Sequence, residues 1–217
     1  MAITKFNFNS FDLTTVASTG LAFNSSANGF TTASAGALTL ISTNTISSGV
    51  SSSSFTSGID STYDTYLFNF INMHPATQSA EFQFQVNASG ESGFNETMTT
   101  TMFQTYHYED GSGQSLNYRT SHDQAQGTAY QSISDDITND NDGSCSGHLY
   151  LFSPSSTTFV KHFMSRVNTH GHDTTRFTDT KFCAGIINTT SAIDEISYQM
   201  SSGNIDSGVI KMYGITK

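Results

Sequence analysis

The chain carries little charge. Asp, Glu, Lys and Arg make up only 12% of its 217 residues, and Ser, Thr, Asn and Gly fill most of the other polar positions. The 8 Lys and Arg residues are scattered over a chain of formal net charge −10, whereas a nucleic-acid interface needs clustered cations. We therefore expect no nucleic-acid binding. A negative surface instead favours solubility and limits non-specific association with acidic surfaces such as bacterial envelopes.

Long apolar runs and helical periodicity are also lacking. No apolar run approaches the roughly 18 residues of a membrane span, and no charged leader precedes a cleavage site. No segment repeats apolar residues at helical spacing. We expect almost no helix, no membrane insertion and no export by a signal peptide.

Cysteine is scarce, and the signatures of common enzymes are missing. Cys145 and Cys183 each lie in an apolar, strand-like run, where a free buried thiol is commoner than a disulfide, but pairing stays open. There is no Gly-x-Ser-x-Gly elbow, and the glutamates are expected on exposed strand faces or turns rather than paired in a cleft. We predict that the protein is not an enzyme.

Strand patterns fill most of the sequence. Residues 81–86 alternate strictly, which predicts a core-facing and a solvent-facing set: Phe82, Phe84 and Val86 inward, and Glu81, Gln83 and Gln85 outward. A strand over 63–72 is ended by Pro75, which cannot donate a ladder hydrogen bond. Further strands are predicted at 37–43, 55–59, 94–108, 116–120, 128–133, 148–152, 158–167, 181–188, 192–200 and 208–215.

The chain ends in two turn signals, Ser202–Asn204 and Asp206–Gly208, and then an alternating strand from Val209 to Tyr213. Short strands separated by Gly, Ser, Asn and Asp turns, without helices, indicate an all-β fold, an antiparallel two-sheet β-sandwich. Residues 36–217 form this predicted domain. Residues 1–35 are either an N-terminal arm, with Phe6, Phe8 and Phe11 as contacts to a neighbouring subunit, or the first strand and a covering loop.

Two groups of side chains suggest binding sites, one for a metal ion and one for a sugar. His170 and His172 supply nitrogen ligands for a metal ion, although Gly171 between them also favours a polar loop with no such role. Tyr106, Tyr108, Tyr118 and Arg119 combine aromatic faces with polar groups, as sugar-binding sites do, but ordinary strand packing is the alternative.

The acidic tract from Ser134 to Ser144 invites a calcium interpretation. It fails the EF-hand template, because Thr138 and Leu149 fall at two principal ligand positions. A looser cation site and a solvated loop are the two alternatives.

The segment from Phe55 to Phe70 and the closing Val-Ile-Lys-Met-Tyr-Gly-Ile strand (209–215) together resemble a jelly-roll module of tailed-bacteriophage virion surface proteins. That module ends in an Ile-Lys-Leu-Tyr-Gly-Ile-like strand, and Met212 replaces the leucine here with little change in volume. The resemblance covers roughly residues 45 to 217.

The resemblance implies a jelly-roll sandwich in a non-enzymatic structural protein at the virion surface, as a capsid decoration or a head- or tail-fibre component. It implies a homotrimer that contacts capsid or tail proteins. The alternative is a lectin-like fibre tip that recognises envelope polysaccharide on the host. Histidine pairs in trimeric phage fibres sometimes surround an ion, so a structural metal is the one cofactor considered.

Overall fold

The computed structural model describes residues 19–23, 30–34, 37–172 and 175–215. The chain divides into two units, Met1–Leu38 and Thr39–Lys217. In the first, β1 (Thr19–Phe23) and β2 (Phe30–Ser34) form an antiparallel hairpin with Thr19 opposite Ser34. The predicted arm contacts Phe6, Phe8 and Phe11 lie outside the described residues.

Antiparallel strands build the second unit. They are β3 (Leu38–Ile46), β4 (Ser52–Phe55), β5 (Thr65–Pro75), β6 (Ala80–Ala88), β7 (Met98–Tyr108), β8 (Gln114–Tyr118), β9 (Ala125–Gly127), β10 (Gln131–Ile137), β11 (Cys145–Phe152), β12 (Lys161–His172), β13 (Arg176–Ile187), β14 (Ile193–Met200) and β15 (Ile205–Ile215). A 3-10 turn, Thr120–His122, follows β8. The described residues contain no α-helix, and none of their helical segments could cross a membrane. The predicted all-β class is confirmed.

The strands join in the order β3-β15-β5-β11-β12-β10-β6-β14-β4, and a branch leaves β12 through β13 and β7 to β8 and β9. The two ends of the main path meet, because the Asn44 side-chain amide of β3 donates to Ser53 Oγ at 3.0 Å and to the Ser54 carbonyl of β4 at 3.1 Å. The sheet of the second unit is therefore nearly closed into a barrel.

Aromatic side chains fill the interior of this sheet. The ring of Phe84 on β6 lies 4.9 Å from that of Phe163 on β12, and Phe82 on β6 lies 5.1 Å from Phe70 on β5. All four side chains are buried, and burying each stabilises the fold by about 1.5–3 kcal/mol. The inward phase predicted for Phe82 and Phe84 is thus confirmed.

The two segments that carry the phage resemblance are neighbours in the sheet. β15 pairs with β5, so that Lys211 lies opposite Asn69 and Met212 opposite Phe68. Met212 and Phe68 are both fully buried. The closing strand is therefore a structural partner of the middle segment rather than a peripheral tail.

Gln85 corrects a sequence-based expectation. It was predicted to face solvent, but it is fully buried. Its Nε2 donates to the carbonyls of Glu96, Thr128 and Ala129 at 3.0–3.1 Å. Loop carbonyls that meet this side of β6 need a donor, and the glutamine amide supplies it where an apolar side chain would leave them unpaired.

Two local predictions are also wrong. The turn predicted at Asp206–Gly208 lies inside β15, where the pairing with β5 shifts register on either side of Ser207 and Gly208 has φ +141°. The segment is a bulged strand, which uses the same glycine signal as a turn. The strand predicted at 55–59 instead ends at Phe55, and Gly58 at φ +89° turns the chain.

Both cysteines are free and buried, Cys145 on β11 and Cys183 on β13. Burial raises the pKa of each thiol to about 12. Neither is a reactive thiolate, and the disulfide left open by the sequence is not formed.

Candidate functional site: a polar and aromatic cleft

A cleft of about 470 Å³ opens over one end of β7 and β13, and we call it the β7–β13 cleft. The two strands pair so that Tyr106 lies opposite Asp179 and Tyr108 opposite Phe177. Because side chains alternate along a strand, these residues share one face, and Gln104 on β7 joins them. Asn117, Arg119, Asp136, His172 and Ser79 complete the lining.

Three aromatic rings hold one another in place in this cleft. The Tyr106 and Tyr108 rings are 5.6 Å apart and nearly perpendicular, at 77°. Phe177 lies 5.4 Å from Tyr108 and 6.4 Å from Tyr106. Edge-to-face packing of this kind fixes the rings as a preformed apolar surface among polar groups.

A β-bulge in β10 aims two consecutive carboxylates in different directions. The pairing of β10 with β6 shifts register between Ser134 and Ile137, and Asp136 has φ +51°. Asp136 lines the cleft, whereas Asp135 turns into the interior. The first residues of the acidic tract therefore belong to β10 and not to a solvated loop. The bulge turns Asp135 inward, where it pairs with cations.

Asp135 lies at the centre of a buried ion cluster beneath the cleft. It accepts from Arg119 Nη2 at 2.6 Å and His122 Nε2 at 3.1 Å, and it pairs with Lys181. Lys181 pairs also with Asp179, and its side chain is fully buried. His122 reaches Glu81 at 3.5 Å on the other side. A buried charge is tolerated only when it is paired in this way.

The cluster perturbs the pKa values of its members. Hydrogen bonds to Asp135 and then Glu81 raise the pKa of His122 to about 9. Burial alone would raise the pKa of Asp135, but the hydrogen bond from His122 and the charges of Lys181 and Arg119 outweigh it and hold that pKa at about 2. Burial raises the pKa of both carboxyls that line the cleft, Asp136 and Asp179, and the charge of Asp135 adds to this effect.

Three buried polar atoms on cleft-lining residues have no hydrogen-bond partner among the described residues. They are Gln104 Oε1, Asp179 Oδ1 and Arg119 Nε. Gln104 is 5% exposed and Asp179 is 2% exposed, so a partner would approach these side chains from the cleft that they line. Unpaired buried groups cost about 1–3 kcal/mol each, and a bound molecule that satisfied them would recover part of that cost.

The cleft brings together three of the four residues predicted from sequence to contact sugar: Tyr106, Tyr108 and Arg119. Tyr118 is placed elsewhere. In the register of β7 with β8, Asn117 lies opposite Gln104 and Tyr118 opposite Phe103, so Tyr118 points to the other face of the sheet, where it is 58% exposed.

His170 and His172 lie in β12 and not in the polar loop considered as their alternative. The strand continues through Gly171, which pairs with Phe177 of β13 and passes under its ring, where a Cβ atom would lie 2.4 Å from that ring. His172 lines the β7–β13 cleft, and His170 Nε2 lies 3.7 Å from Glu109 Oε1. In the described ranges, which leave out residues 173–174, no three His, Cys, Asp or Glu side chains converge on a metal position. The metal role of this pair stays a prediction.

Asp140, in the acidic tract, is engaged by protein groups. It pairs with Arg176 at 2.8 Å and accepts from Thr138 Oγ1 at 2.7 Å. Both contacts are to Asp140 Oδ2, and the cation site considered for this tract stays a prediction.

The sequence patterns did not place the following residues at this site: Gln104, Phe177, Asp179, Lys181 and, beyond its place in the acidic tract, Asp136. A signal for β13 was present, because Phe177, Asp179 and Lys181 alternate in phase with the buried Cys183. Charged residues on the core face of a strand indicate a buried ion pair or a site. No such signal marks Asp136, whose direction depends on the bulge.

No protein-family model, curated protein or solved structure matches this chain.

Proposed function

We propose that this protein is a non-enzymatic surface component of a tailed-phage particle, either a capsid decoration or part of a head or tail fibre, and that it binds glycan through the β7–β13 cleft. The glycan would be a polysaccharide of the host envelope. The main support for glycan binding is that a rigid aromatic surface and unpaired hydrogen-bonding groups meet in one cleft.

The pairing of β5 with β15 supports the phage part of the proposal. The two segments that resemble the module lie side by side, with Tyr213 opposite Leu67 and Gly214 opposite Tyr66. A jelly-roll arrangement of the nearly closed sheet is part of this proposal.

The composition of the cleft supports glycan binding. A pyranose ring presents C–H groups on its faces and hydroxyls at its edge, so it suits a site with both an apolar surface and polar groups. Tyr106, Tyr108 and Phe177 supply the surface. Gln104 and Asp179 supply acceptors for hydroxyl donors, and Arg119 supplies a donor.

Binding to an array of bacterial envelope polysaccharides tests this function. The native protein should bind at least one, and Tyr106→Ala should weaken that binding at least tenfold because it removes part of the aromatic surface. Tyr150→Ala is the matched control, since Tyr150 stacks on Phe152 at 6.1 Å and does not line the cleft. Absence of binding, or equal loss in both variants, would contradict glycan recognition.

An assembly role is supported by a second surface, the outer face of β7, β8, β12 and β13. Phe103 stacks on Phe182 at 4.8 Å, and the Arg166 guanidinium lies 5.3 Å from the centre of the Phe182 ring. Phe103, Leu116, Tyr118 and Met164 are 43–68% exposed. We propose that copies of this chain associate through this face as a homotrimer, because apolar side chains so arranged favour burial.

The assembly role is tested by the mass of the purified protein in solution and by its stoichiometric addition to undecorated capsids. A trimer that adds to capsids supports decoration. A trimer that ignores capsids but binds host cells supports a fibre component. A monomer that binds neither contradicts the assembly role.

A further inference from the structure

The β7–β13 cleft carries a charge arrangement that bears on which glycans it accepts. This inference rests on the proposed glycan binding and concerns the chemical class of the sugar. We infer that the cleft selects uncharged saccharides, which it holds through hydroxyl donors, and discriminates against saccharides that carry carboxylates.

The unpaired groups of the cleft favour a ligand that donates hydrogen bonds. Gln104 Oε1 and Asp179 Oδ1 are acceptors, and both lack a partner among the described residues. A ligand can pair with these two acceptors only by donating a hydrogen bond to them. A sugar hydroxyl donates, whereas an ionised carboxylate only accepts. The oxygen of an ionised carboxylate placed near either acceptor would add repulsion to the unpaired group.

Two cations near the cleft, Arg119 and Lys181, are paired with carboxylates of the protein. Arg119 Nη2 is bound to Asp135 at 2.6 Å, and the fully buried Lys181 is paired with both Asp135 and Asp179. Each cation already has a carboxylate partner in the protein, so a carboxylate ligand would have to compete with Asp135 or Asp179. Arg119 Nε has no partner among the described residues, and a hydroxyl oxygen can accept its hydrogen bond. His172 also lines the cleft, so its contribution requires its own variant.

The carboxylates of the cleft disfavour a further negative charge. Asp136 and Asp179 both line the cleft, and burial already disfavours their charged forms. Another negative charge in the cleft would disfavour them further. Carboxylate acceptors bind neutral hydroxyls in charge-assisted hydrogen bonds, so the groups that repel an acidic sugar are the ones that hold a neutral sugar.

The test uses pairs of oligosaccharides that share ring stereochemistry and differ at C6: glucose with glucuronate, galactose with galacturonate, and mannose with mannuronate units. Dissociation constants are measured by calorimetry with the intact protein. In each pair that binds, the neutral member should bind at least about tenfold more tightly. Equal or tighter binding of the acidic member overturns the inference and leaves glycan binding intact.

Three variants locate the discrimination. Asp136→Asn keeps the shape and removes the charge, so it should narrow the neutral-to-acidic ratio at least threefold. His172→Gln, which alters the cleft itself, should still bind the neutral member more tightly. Asp142→Asn, at a side chain that is 76% exposed and does not line the cleft, should leave the ratio within twofold. An unchanged ratio in Asp136→Asn contradicts the charge argument. If no oligosaccharide of either kind binds, the inference and the proposed glycan function both fail.

Discussion

Gly214 on β15 lies directly against the ring of Tyr63, and a Cβ atom at position 214 would come within 2.3 Å of Tyr63 Cδ2. Tyr63 in turn packs edge-on against Tyr66, with ring centres 5.8 Å apart. The glycine of the closing Tyr-Gly-Ile sequence is therefore required by a close approach between the strand and this ring. Its backbone does not adopt the positive φ that would otherwise explain a glycine.

Gly214→Ala should lower the free energy of unfolding by about 1–3 kcal/mol, because the added methyl group must displace the Tyr63 ring. Urea denaturation measures the change. Gly113→Ala is the control, since a Cβ there would meet the Tyr108 ring at 3.3 Å, where a small shift relieves the contact. If Gly214→Ala were as stable as the native protein, the Tyr63 ring would move aside at no cost in free energy.

Lys181→Met should destabilise the protein by about 3–5 kcal/mol, because it leaves Asp135 and Asp179 buried without their shared cation. The same denaturation experiment measures this loss. Lys211→Met on β15 is the control, since Lys211 is only half-buried and belongs to no ion pair among the described residues. Similar losses in the two variants would contradict the importance of the cluster.

Thermal stability should depend on pH through His122 and Asp135. Folding raises the pKa of His122 to about 9, so its contribution is complete below its ordinary pKa and is lost as pH rises through about 9. Folding lowers the pKa of Asp135 to about 2, so its contribution is complete above its ordinary pKa and is lost as pH falls through about 2.

Melting temperature measured from pH 2 to 10 checks this dependence. His122→Gln should flatten the alkaline limb and also weaken the acid limb, because the hydrogen bond from His122 helps to hold the pKa of Asp135 low. His107→Gln, at an exposed position on β7, should leave both limbs unchanged. An alkaline limb that survives in His122→Gln would assign it to another group.

Asp136→Gly should stabilise the fold by about 0.5–1 kcal/mol and also weaken glycan binding. Asp136 has φ +51°, which glycine adopts more readily, and its side chain lines the cleft. Ser153→Gly is the matched control, because Ser153 has φ +45° and does not line the cleft. Ser153→Gly should gain stability and keep full binding, whereas a loss of binding in both variants would remove Asp136 from the site.

Phe103→Ser combined with Met164→Ser should convert the proposed trimer to monomer without unfolding it, because both side chains are more than 40% exposed on the outer face. Light scattering after size-exclusion chromatography measures the mass. Phe159→Ser removes a side chain that is 73% exposed in the loop before β12, and it should leave the trimer intact. An unchanged mass in the double variant would place the interface elsewhere.

The strands could be predicted from sequence because the chain alternates strongly where one face is apolar. Phe82, Phe84 and Val86 show this on β6, and the Asp110-Gly111 turn marks the hairpin of β7 and β8. Polar side chains on a core face defeat the same logic. Gln85 is buried because distant loop carbonyls need its amide, and sequence proximity does not reveal them.

The site was only half predictable for a related reason. Tyr106 and Tyr108 lie two residues apart on one strand, so their common face follows from the chain itself. Asp136 and Asp179 reach the cleft from strands far apart in sequence, and one of them depends on a bulge. Long-range register and local irregularity, not composition, decided which carboxylates meet the aromatic rings.

The side-chain bond from Asn44 to the Ser54 carbonyl also protects the sheet against foreign strands. β4 is only four residues long, and one of its outward acceptors is already occupied by the amide of its neighbour. A short edge with a filled acceptor gives another chain few positions at which to begin a ladder. The seam between β3 and β4 thus offers crowded copies few positions at which to join edge to edge.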